Sequence, residues 1–360
     1  MTERHVTSLA LLERIMTERD HVGQVRTRLR TADGVRIEAE HLPRTTSAAP
    51  APDAGVIVLA HGFTGSLDRP AVRRAAGVLA AHAAVVTFSF RGHGRSGGRS
   101  TVGDREVLDL AAAVAWARSL GYRRVATVGF SMGGSVVLRH GALFRDAAAG
   151  PADGHAPSNG EPMVHEGRTV ARPVGSPTAD AAAHADAVVA VSAPARWYYR
   201  GTAPMRRLHW AVQHPVGRLV SRYGLRTRVH HRDWEQVPLS PVAAAPLISP
   251  VPLLLVHGDQ DPYFPLDHPL SLAEAADPAR TTLWLVPGFG HAEKAAAPSL
   301  LHRIGDWAAT WLHAPAARPH HGSRDGTVAA DGTDGATLPD STDSSGGTVG
   351  AVGSTDGTDG

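Results

Sequence analysis

The sequence predicts an α/β fold in which helices cover both faces of a mostly parallel sheet of about eight strands. Short, continuous apolar runs of strand length alternate along the chain with segments of helical length. Apolar runs without polar alternation are typical of parallel strands that are buried on both faces. The 360 residues are enough for one large domain or two modest ones.

The predicted strands and helices follow one another in a regular order. Residues 25–42 alternate polar and apolar side chains around Asp33-Gly34, which predicts a β-hairpin at one edge of the sheet. Buried strands are predicted at six apolar runs: 55–62, 84–90, 124–130, 186–194, 250–258 and 281–288. Helices are predicted between and after them, at about 70–82, 104–120, 132–145 and 298–313. The second helix is expected to begin with Asp104 as an acidic N-cap and to end at Gly121.

Four segments fall outside this alternation. Residues 1–23 contain an amphipathic stretch that predicts an N-terminal helix, and residues 43–52 form a linker rich in Ser, Thr, Ala and Pro. Residues 147–180 contain almost no large apolar side chains, so we expect a flexible surface insertion there. Residues 314–360 repeat Gly, Thr, Asp and Ser, which predicts a disordered acidic tail that cannot form a core.

The composition limits the classes of protein to which the chain can belong. Hydrophobic residues make up 42% of the sequence and the mean hydropathy is −0.14, as in soluble globular proteins. Cysteine is absent, which excludes disulfides, thiolate metal sites and a cysteine nucleophile. The first residues do not resemble a signal peptide, and no apolar run reaches the ~20 residues of a membrane span. We therefore expect a cytoplasmic protein without a transmembrane segment.

Arginine carries nearly all of the positive charge, because Lys294 is the only lysine. The net charge is +2, since the acidic tail offsets a more basic folded body. The arginines are not accompanied by any known nucleic-acid-binding motif, so we do not expect nucleic acid as a partner.

The candidate nucleophile is Ser131, in the pattern Gly-x-Ser-x-Gly at 129–133. The same pattern occurs around Ser96, at 94–98, so the pattern alone does not identify the serine. A nucleophile elbow needs a strand that runs directly into the turn and a helix that leaves it. Only Ser131 has this context, because Ser96 lies in a loop of Arg and Gly. The start of the helix would also direct the Met132 amide towards a reacting carbonyl.

Three further loops at the ends of predicted strands contain residues suited to catalysis. His61-Gly62-Phe63-Thr64-Gly65 follows one strand, and the Phe63 amide there could be a second donor of an oxyanion hole. Asp259 and Asp261 follow another strand, and the distance from the strand end does not decide which of them orients a histidine. His291 lies in a glycine-flanked loop after the last strand and is the candidate general base.

Together these residues resemble the α/β-hydrolase superfamily. The similarity extends over about residues 25–313 and is greatest to the group of monoacylglycerol lipases, lysophospholipases and serine aminopeptidases. It implies an α/β-hydrolase fold with a Ser131–His291–Asp261 triad and an oxyanion hole formed by the Phe63 and Met132 amides. The family pattern H-G-x-x-D-x-x-x-P favours Asp261 over Asp259, since it places the acid four residues before Pro265. The pattern R-G-x-G-x-S ends on Ser96 and implies a structural role for that serine.

The resemblance also divides the chain into a core and a lid. Residues 24–194 and 249–313 would form the α/β-hydrolase core, and residues 195–248 a helical cap inserted before the strand that carries the acid. Apolar and aromatic side chains there either bind an acyl substrate or pack the cap onto the core. The candidates for substrate binding are Trp197, Tyr198 and Trp210 in the cap and Tyr263 beside the acid.

The cap is also rich in arginine, in a set that includes Arg196, Arg200, Arg206 and Arg207. These side chains either form a solvated face, hold an anionic substrate or dock on an acidic membrane surface.

The expected activity is hydrolysis of a carboxylic ester or related acyl bond on a small, apolar substrate. Two alternatives remain: other chemistry of the same triad, such as amide, thioester or C–C hydrolysis or acyl transfer, and a non-catalytic receptor on the same fold. Fold alone does not distinguish them. No cofactor and no metal site are implied by the sequence.

Overall fold

The computed structural model describes residues 23–45, 55–145, 163–165, 168–170 and 181–313. All of them belong to one of the two compact units of the chain, Met1–Pro315. The strands in the described residues are β1 Val25–Arg30, β2 Arg36–Leu42, β3 Val56–Ala60, β4 Ala84–Phe88, β5 Val125–Phe130, β6 Met163–His165, β7 Arg168–Val170, β8 Ala187–Val191, β9 Leu253–Gly258 and β10 Thr281–Val286.

Four helices lie near the positions that the sequence predicts, and the others lie in the expected cap and in the loops after β9 and β10. They are α1 Pro70–Leu79, α2 Glu106–Ser119, α3 Met132–Leu143, α4 Ala203–Gln213, α5 Pro215–Tyr223, α6 Pro241–Ala244, α7 Asp267–Ala275, α8 Ala292–Ala295 and α9 Pro298–Leu312, with short 3₁₀ turns at Ala181–Ala183 and Ala245–Ile248. None of the helices in the described ranges is long and apolar enough to span a bilayer.

Eight strands form one twisted sheet in the spatial order β1-β2-β4-β3-β5-β8-β9-β10. The predicted hairpin is confirmed: β1 and β2 pair antiparallel, with Val25 opposite His41 and Arg30 opposite Arg36. β2 also pairs antiparallel with β4. All other neighbours in this sheet are parallel, so their carboxyl ends meet along one edge.

Two apolar clusters lie on opposite faces of the sheet, because successive side chains of a strand point to opposite sides. In β3, Val56 and Val58 belong to the cluster beneath α2 and α3, whereas Ile57 and Leu59 belong to the cluster beneath α1 and α9. All four side chains are at most 1% exposed. Burial of each one favours folding by about 1.5–3 kcal/mol, which explains why the central strands are continuous apolar runs.

The start of α2 differs from the prediction. The helix begins at Glu106, and Asp104 is not its N-cap; the Asp104 carboxylate instead lies 3.5 Å from Arg139 Nη2. The Thr101 hydroxyl accepts from the Arg105 amide at 2.8 Å, and the Glu106 carboxylate accepts from the Thr101 and Gly103 amides. These side chains satisfy the turn before the helix, so no capping acid is needed.

The predicted insertion at 147–180 contains a short two-stranded ladder in its described part, formed by β6 and β7 in antiparallel pairing. Four parts of the chain lie outside the described residues: the remainder of that insertion, residues 1–22 of the predicted N-terminal helix, most of the linker and the tail at 314–360. Residues 195–248, expected to form the cap, contain α4, α5, α6 and the second 3₁₀ turn.

Candidate active site

The strand order brings the candidate residues to one place. Ser131 directly follows β5, and Phe63 follows the neighbouring β3. Asp261 follows β9 and His291 follows β10, two strands that are also neighbours. Because β8 is the only strand between β5 and β9 in the sheet, all four loops project from the same central part of the carboxyl edge.

His291 bridges Ser131 and Asp261. Its Nε2 lies 2.9 Å from Ser131 Oγ, and its Nδ1 lies 2.7 Å from Asp261 Oδ2. Both contacts are satisfied by the neutral tautomer in which Nδ1–H donates to the carboxylate and Nε2 accepts from the hydroxyl. The Asp261 side chain is fully buried, while that of His291 keeps 16% of its surface exposed.

Asp259 and Asp261, which the distance from the strand end does not distinguish, have different contacts in the structure. Asp261 Oδ1 accepts from the Tyr263 amide at 2.8 Å and the Phe264 amide at 3.1 Å, which fixes the carboxylate in position for His291. Asp259 Oδ1 accepts from the Gly288 amide at 2.7 Å and so ties the two loops together. Asp259 is therefore a turn residue in this arrangement, and Asp261 is the one that contacts the histidine.

The backbone at Ser131 has the strained geometry of a sharp strand-to-helix turn. Ser131 has φ 53° and ψ −113°, a region that L-residues rarely occupy. A Cβ on Gly129 would lie 2.1 Å from the Gly133 carbonyl oxygen, and one on Gly133 would lie 2.4 Å from the Ala60 carbonyl oxygen. The two glycines of the pattern are therefore required by close backbone approach, which agrees with a nucleophile elbow.

Two backbone amides beside Ser131 are available to a ligand. Among the described residues, neither the Phe63 amide nor the Met132 amide donates a hydrogen bond. Thr64, next in the first loop, has φ 65°, which turns the chain sharply after Phe63. Pairs of free amides at this location can stabilise a developing oxyanion.

His61 supports the loop that carries the Phe63 amide. Its side chain is completely buried, with Nδ1–H donating to the Gly62 carbonyl at 2.7 Å and Nε2 accepting from the Phe90 amide at 3.0 Å. Burial lowers the pKa of His61 to about 3, so the imidazole is neutral near neutral pH.

Two residues that are not expected from the sequence hold the loop of His291. Ser192 Oγ accepts from the Ala292 amide at 3.1 Å, directly after His291. Glu293 is only 7% exposed, and one of its carboxyl oxygens has no hydrogen-bond partner among the described residues. That oxygen would lie 3.3 Å from a Cβ on Gly62, so the carboxyl group packs against the loop of the free amides. The position of Glu293, two residues after His291, was the one sequence signal that could have identified this residue.

Burial raises the pKa of Glu293 above its usual value. The nearby backbone amides of Glu293 and Gly62 and the side chains of His291 and Lys294 act on this pKa in the opposite direction but are weaker.

A cavity of about 1690 Å³ opens beside Ser131. Phe63, Met132 and Ser131 line it on the core side. The side chains that line it from the segment 195–248 include Trp197, Tyr198, Tyr199, Met205, Leu208, Val212 and Trp234. Its wall also includes charged side chains, among them Arg99, Arg105, Arg218, Asp233 and Glu235. A concave site in which apolar walls are interrupted by polar groups is suited to binding a small molecule.

The four predicted substrate-binding residues have different locations. Trp197 and Tyr198 line the cavity. Tyr263 does not line it, but its ring lies 4.4 Å from the His291 ring. Trp210 is not part of the cavity: it is 53% exposed and stacks on His214 at 5.2 Å. The expectation for Trp210 is therefore not supported, since it points away from the side of α4 that faces the cavity.

The second serine with the same sequence pattern is structural. Ser96 is 1% exposed; its hydroxyl donates to the Ser89 carbonyl at 2.7 Å and accepts from the Glu38 amide at 2.9 Å. Within the described ranges, no three His, Asp or Glu side chains are arranged so that they could hold a metal ion.

Comparison with known proteins agrees with this architecture. Residues 55–149 match a family described as the alpha/beta hydrolase fold. The structure is similar to the esterase Pf2001 of Pyrococcus furiosus, with 20% identity, a TM-score of 0.55 and coverage of 80% of this chain and 93% of that one. It is also similar to the alpha/beta hydrolase GrgF of a Penicillium species, with 16% identity, a TM-score of 0.55 and coverage of 81% and 99%. The predicted α/β-hydrolase fold is thus confirmed.

Proposed function

We propose that this protein is a serine hydrolase that cleaves a carboxylic ester or related acyl bond through an acyl-enzyme intermediate. The observation that carries the proposal is the placement of His291 between Ser131 Oγ and the Asp261 carboxylate, at 2.9 and 2.7 Å. This hydrogen-bonded chain has the geometry by which a serine hydroxyl is activated as a nucleophile.

In the first step His291 Nε2 takes the proton of Ser131 as Oγ attacks the acyl carbon. The imidazolium that forms is stabilised by the Asp261 carboxylate, which is fixed by its two backbone hydrogen bonds. His291 then donates the proton to the leaving oxygen as the ester bond breaks, and Ser131 carries the acyl group.

The negative charge of the tetrahedral intermediate would be held by the Phe63 and Met132 amides. Both are free of other partners among the described residues, and the second is also at the N-terminus of α3. Loss of one such donor typically costs about 2.7–4 kcal/mol of transition-state stabilisation.

Water completes the reaction. His291 removes a proton from a water molecule that attacks the acyl carbon, and the collapse of the second intermediate returns the proton to Ser131. The exposed part of the His291 side chain provides access for this water.

The cavity supports an acyl substrate with apolar and aromatic parts. Trp197 and Tyr198 both contact Trp234, with ring centroids 5.3 and 5.4 Å apart, so they form one aromatic wall. Trp197 is fixed by a hydrogen bond from its Nε1–H to the Pro238 carbonyl at 2.8 Å. The narrower resemblance to monoacylglycerol lipases and lysophospholipases remains a prediction about the identity of this substrate.

The test is labelling with a fluorophosphonate, with the adduct located by mass spectrometry. We expect the label on Ser131 and its loss in Ser131→Ala. The matched control is Ser96→Ala, which changes the other Gly-x-Ser-x-Gly serine and should keep the label on Ser131, provided that circular dichroism shows it to be folded. Absence of labelling in the folded wild-type protein would contradict an activated serine and favour a non-catalytic receptor.

Labelling alone does not identify the bond that is cleaved. Turnover of matched ester, thioester and amide substrates with the same acyl group distinguishes these activities. We expect the ester to be hydrolysed, and Ser131→Ala to lower kcat by up to about 10⁶-fold.

A further inference from the structure

Helix α5 has its apolar face towards solvent. Val216, Leu219, Val220 and Tyr223 follow the spacing of one helix face and are 53%, 57%, 57% and 71% exposed. In most surface helices such a face is buried against the core. Here the four side chains have no apolar cover in the described part of the chain.

The opposite face of α5 is made of small residues that pack on α4. Gly217 and Ser221 are the buried residues of the helix. A Cβ on Gly217 would lie 2.5 Å from Ala211 Cα, so a larger residue could not occupy this position. The orientation of α5 is therefore set by close packing of its small face, and the exposure of the apolar face follows from it.

The apolar face is flanked by positive charge, and the stretch of chain that contains it has no acidic residue. From Ala195 to Arg232 inclusive, the sequence has nine arginines and no Asp or Glu. Among these arginines, only Arg196 forms an ion pair within the described residues, with Asp267. Arg218 and Arg222 lie beside the apolar stripe on α5, and the Arg222 guanidinium is 5.4 Å from the centre of the Tyr223 ring.

The neighbouring helix adds to the same surface. Trp210, half exposed on α4, stacks on His214 at the start of α5. Arg206 and Arg207 precede it on α4 and are both exposed. We call these two helices, with Leu225 and Arg226 after them, the cap hairpin.

The combination of features indicates the chemistry of the partner. Exposed apolar and aromatic side chains beside arginines, most of which here form no ion pair within the described residues, are typical of helices that lie in the interface of a membrane with anionic lipids. A second copy of the hairpin would bring like charges together, and a nucleic acid would leave the apolar stripe uncovered. We propose that the cap hairpin docks on an anionic lipid surface, with Val216, Leu219, Val220 and Tyr223 entering the interface and the arginines contacting lipid phosphates or carboxylates.

The location of this surface connects it to the cavity. Arg218 belongs to α5 and also lines the cavity that contains Ser131. Docking would therefore hold the cavity close to a source of acyl chains. The proposal itself concerns binding, and its test does not depend on the proposed hydrolysis.

The test is sedimentation of the full-length protein with vesicles of phosphatidylcholine alone or with added phosphatidylserine. We expect binding to the anionic vesicles, little binding to phosphatidylcholine alone, and release at high salt, because surface charge is screened. Arg222→Glu with Arg226→Glu should weaken binding by at least about tenfold, since each arginine near such a surface contributes about fivefold and reversal adds repulsion.

A second double variant tests the contribution of the apolar side chains to binding. Leu219→Ser with Val220→Ser should also abolish most of the binding. The matched controls lie on the core: Leu270→Ser, which changes another half-exposed leucine, and Arg73→Glu, which reverses another exposed arginine. Both should bind as the wild type does, and thermal unfolding verifies that each variant is folded.

Three results would overturn the proposal. One is equal binding to neutral and anionic vesicles without salt dependence. Another is unchanged vesicle binding by both hairpin variants. The third is a wild-type protein that forms a dimer and does not bind vesicles, together with a monomeric Leu219→Ser, Val220→Ser variant. That result would assign the surface to a second copy of the chain.

Discussion

Asp261 and Asp259 show how two carboxylates two residues apart acquire different roles. Asp261 Oδ2 contacts His291, and Asp259 accepts from the Gly288 amide on the adjoining loop. We expect Asp261→Asn to lower kcat by about 10⁴-fold, because an amide cannot hold the imidazole in the required tautomer. Asp259→Asn should lower it far less, since it keeps an acceptor oxygen for Gly288. Ester turnover measured on both folded variants checks this, and equal losses would contradict the assignment of Asp261.

Glu293 provides a prediction about the pH dependence of stability. Burial raises its pKa in the folded state, so the folded protein binds this proton more tightly than the unfolded chain does. The stabilisation is fully present below the unfolded pKa, which is near 4.5, and is lost as the pH rises towards the higher folded pKa. This group alone makes the free energy of unfolding fall by at most about 1.4 kcal/mol per pH unit in that window.

Glu293→Gln should remove this contribution, because the amide keeps the shape but does not ionise. Urea unfolding at a series of pH values from 4 upwards, approximately the range in which the carboxyl titrates, measures the difference between the two proteins. We expect the variant to lose less stability than the wild type as the pH rises. Parallel curves for the two proteins would show that the Glu293 carboxyl titrates alike in the folded and unfolded states.

At the scale of single elements, two glycines in helices differ in whether a larger side chain would fit. Gly77 lies within α1, and a Cβ there would meet no atom within 4 Å. Gly133 lies in the first turn of α3 against the Ala60 carbonyl. We expect Gly77→Ala to stabilise the protein by about 0.5–1 kcal/mol, because alanine loses less backbone entropy in a helix.

Gly133→Ala is the matched comparison and should destabilise the protein, since the strand and the helix would have to separate. Chemical denaturation compares both variants with the wild type. A stabilising effect of alanine at both positions would mean that the turn at Ser131 is less tightly packed than its distances indicate.

The elements themselves could largely be predicted from the sequence. All six predicted apolar runs contain strands of the central sheet. Five of these strands are buried, because a strand covered on both faces leaves few positions for polar residues. β10 differs, because it lies at the edge of the sheet and its residues are half-buried or exposed. The start of α2 could not be predicted in this way. Arg139, from the next helix in the chain, lies beside Asp104 and competes for a side chain that local rules assign to the cap.

Polar contacts between residues far apart in the chain could not be predicted from the sequence either. Arg91 pairs with Asp33 at 2.6 Å and with Asp109 at 2.8 Å, and so joins the β1–β2 turn to the loop after β4 and to α2. These residues are far apart in the chain, and no periodicity relates them. Only the fold brings them together.

For the whole molecule, the meeting of the three candidate triad residues could be predicted from the sequence more readily than the lining of the cavity. Ser131, Asp261 and His291 each follow a strand, and the carboxyl ends of parallel strands meet at one edge whatever the detailed packing. The direction of a cap side chain depends instead on how helices outside the sheet pack. Trp197 and Trp210 are both aromatic residues of the cap. Trp197 precedes α4 and lines the cavity, whereas Trp210 lies on the side of α4 that faces away from the cavity.

The volume of the cavity leads to a prediction about acyl length. Leu208 and Val212, one turn apart on α4, line the same cavity as Ser131, and Phe63 and Met132 line it on the core side. A cavity of about 1690 Å³ has room for a long acyl chain. We expect Leu208→Trp to reduce kcat/KM for long-chain esters by about tenfold or more relative to short-chain esters, because it fills the space that the chain occupies.

The comparison is made with a series of soluble esters of increasing acyl length. Arg207→Trp adds the same ring on the exposed side of the same helix and should leave the chain-length profile unchanged. If Leu208→Trp lowers kcat/KM equally for every ester, the acyl chain does not extend towards α4. The chain would then have to lie along the core side of the cavity, near Phe63 and Met132, and the aromatic wall of the cap would contact the leaving group.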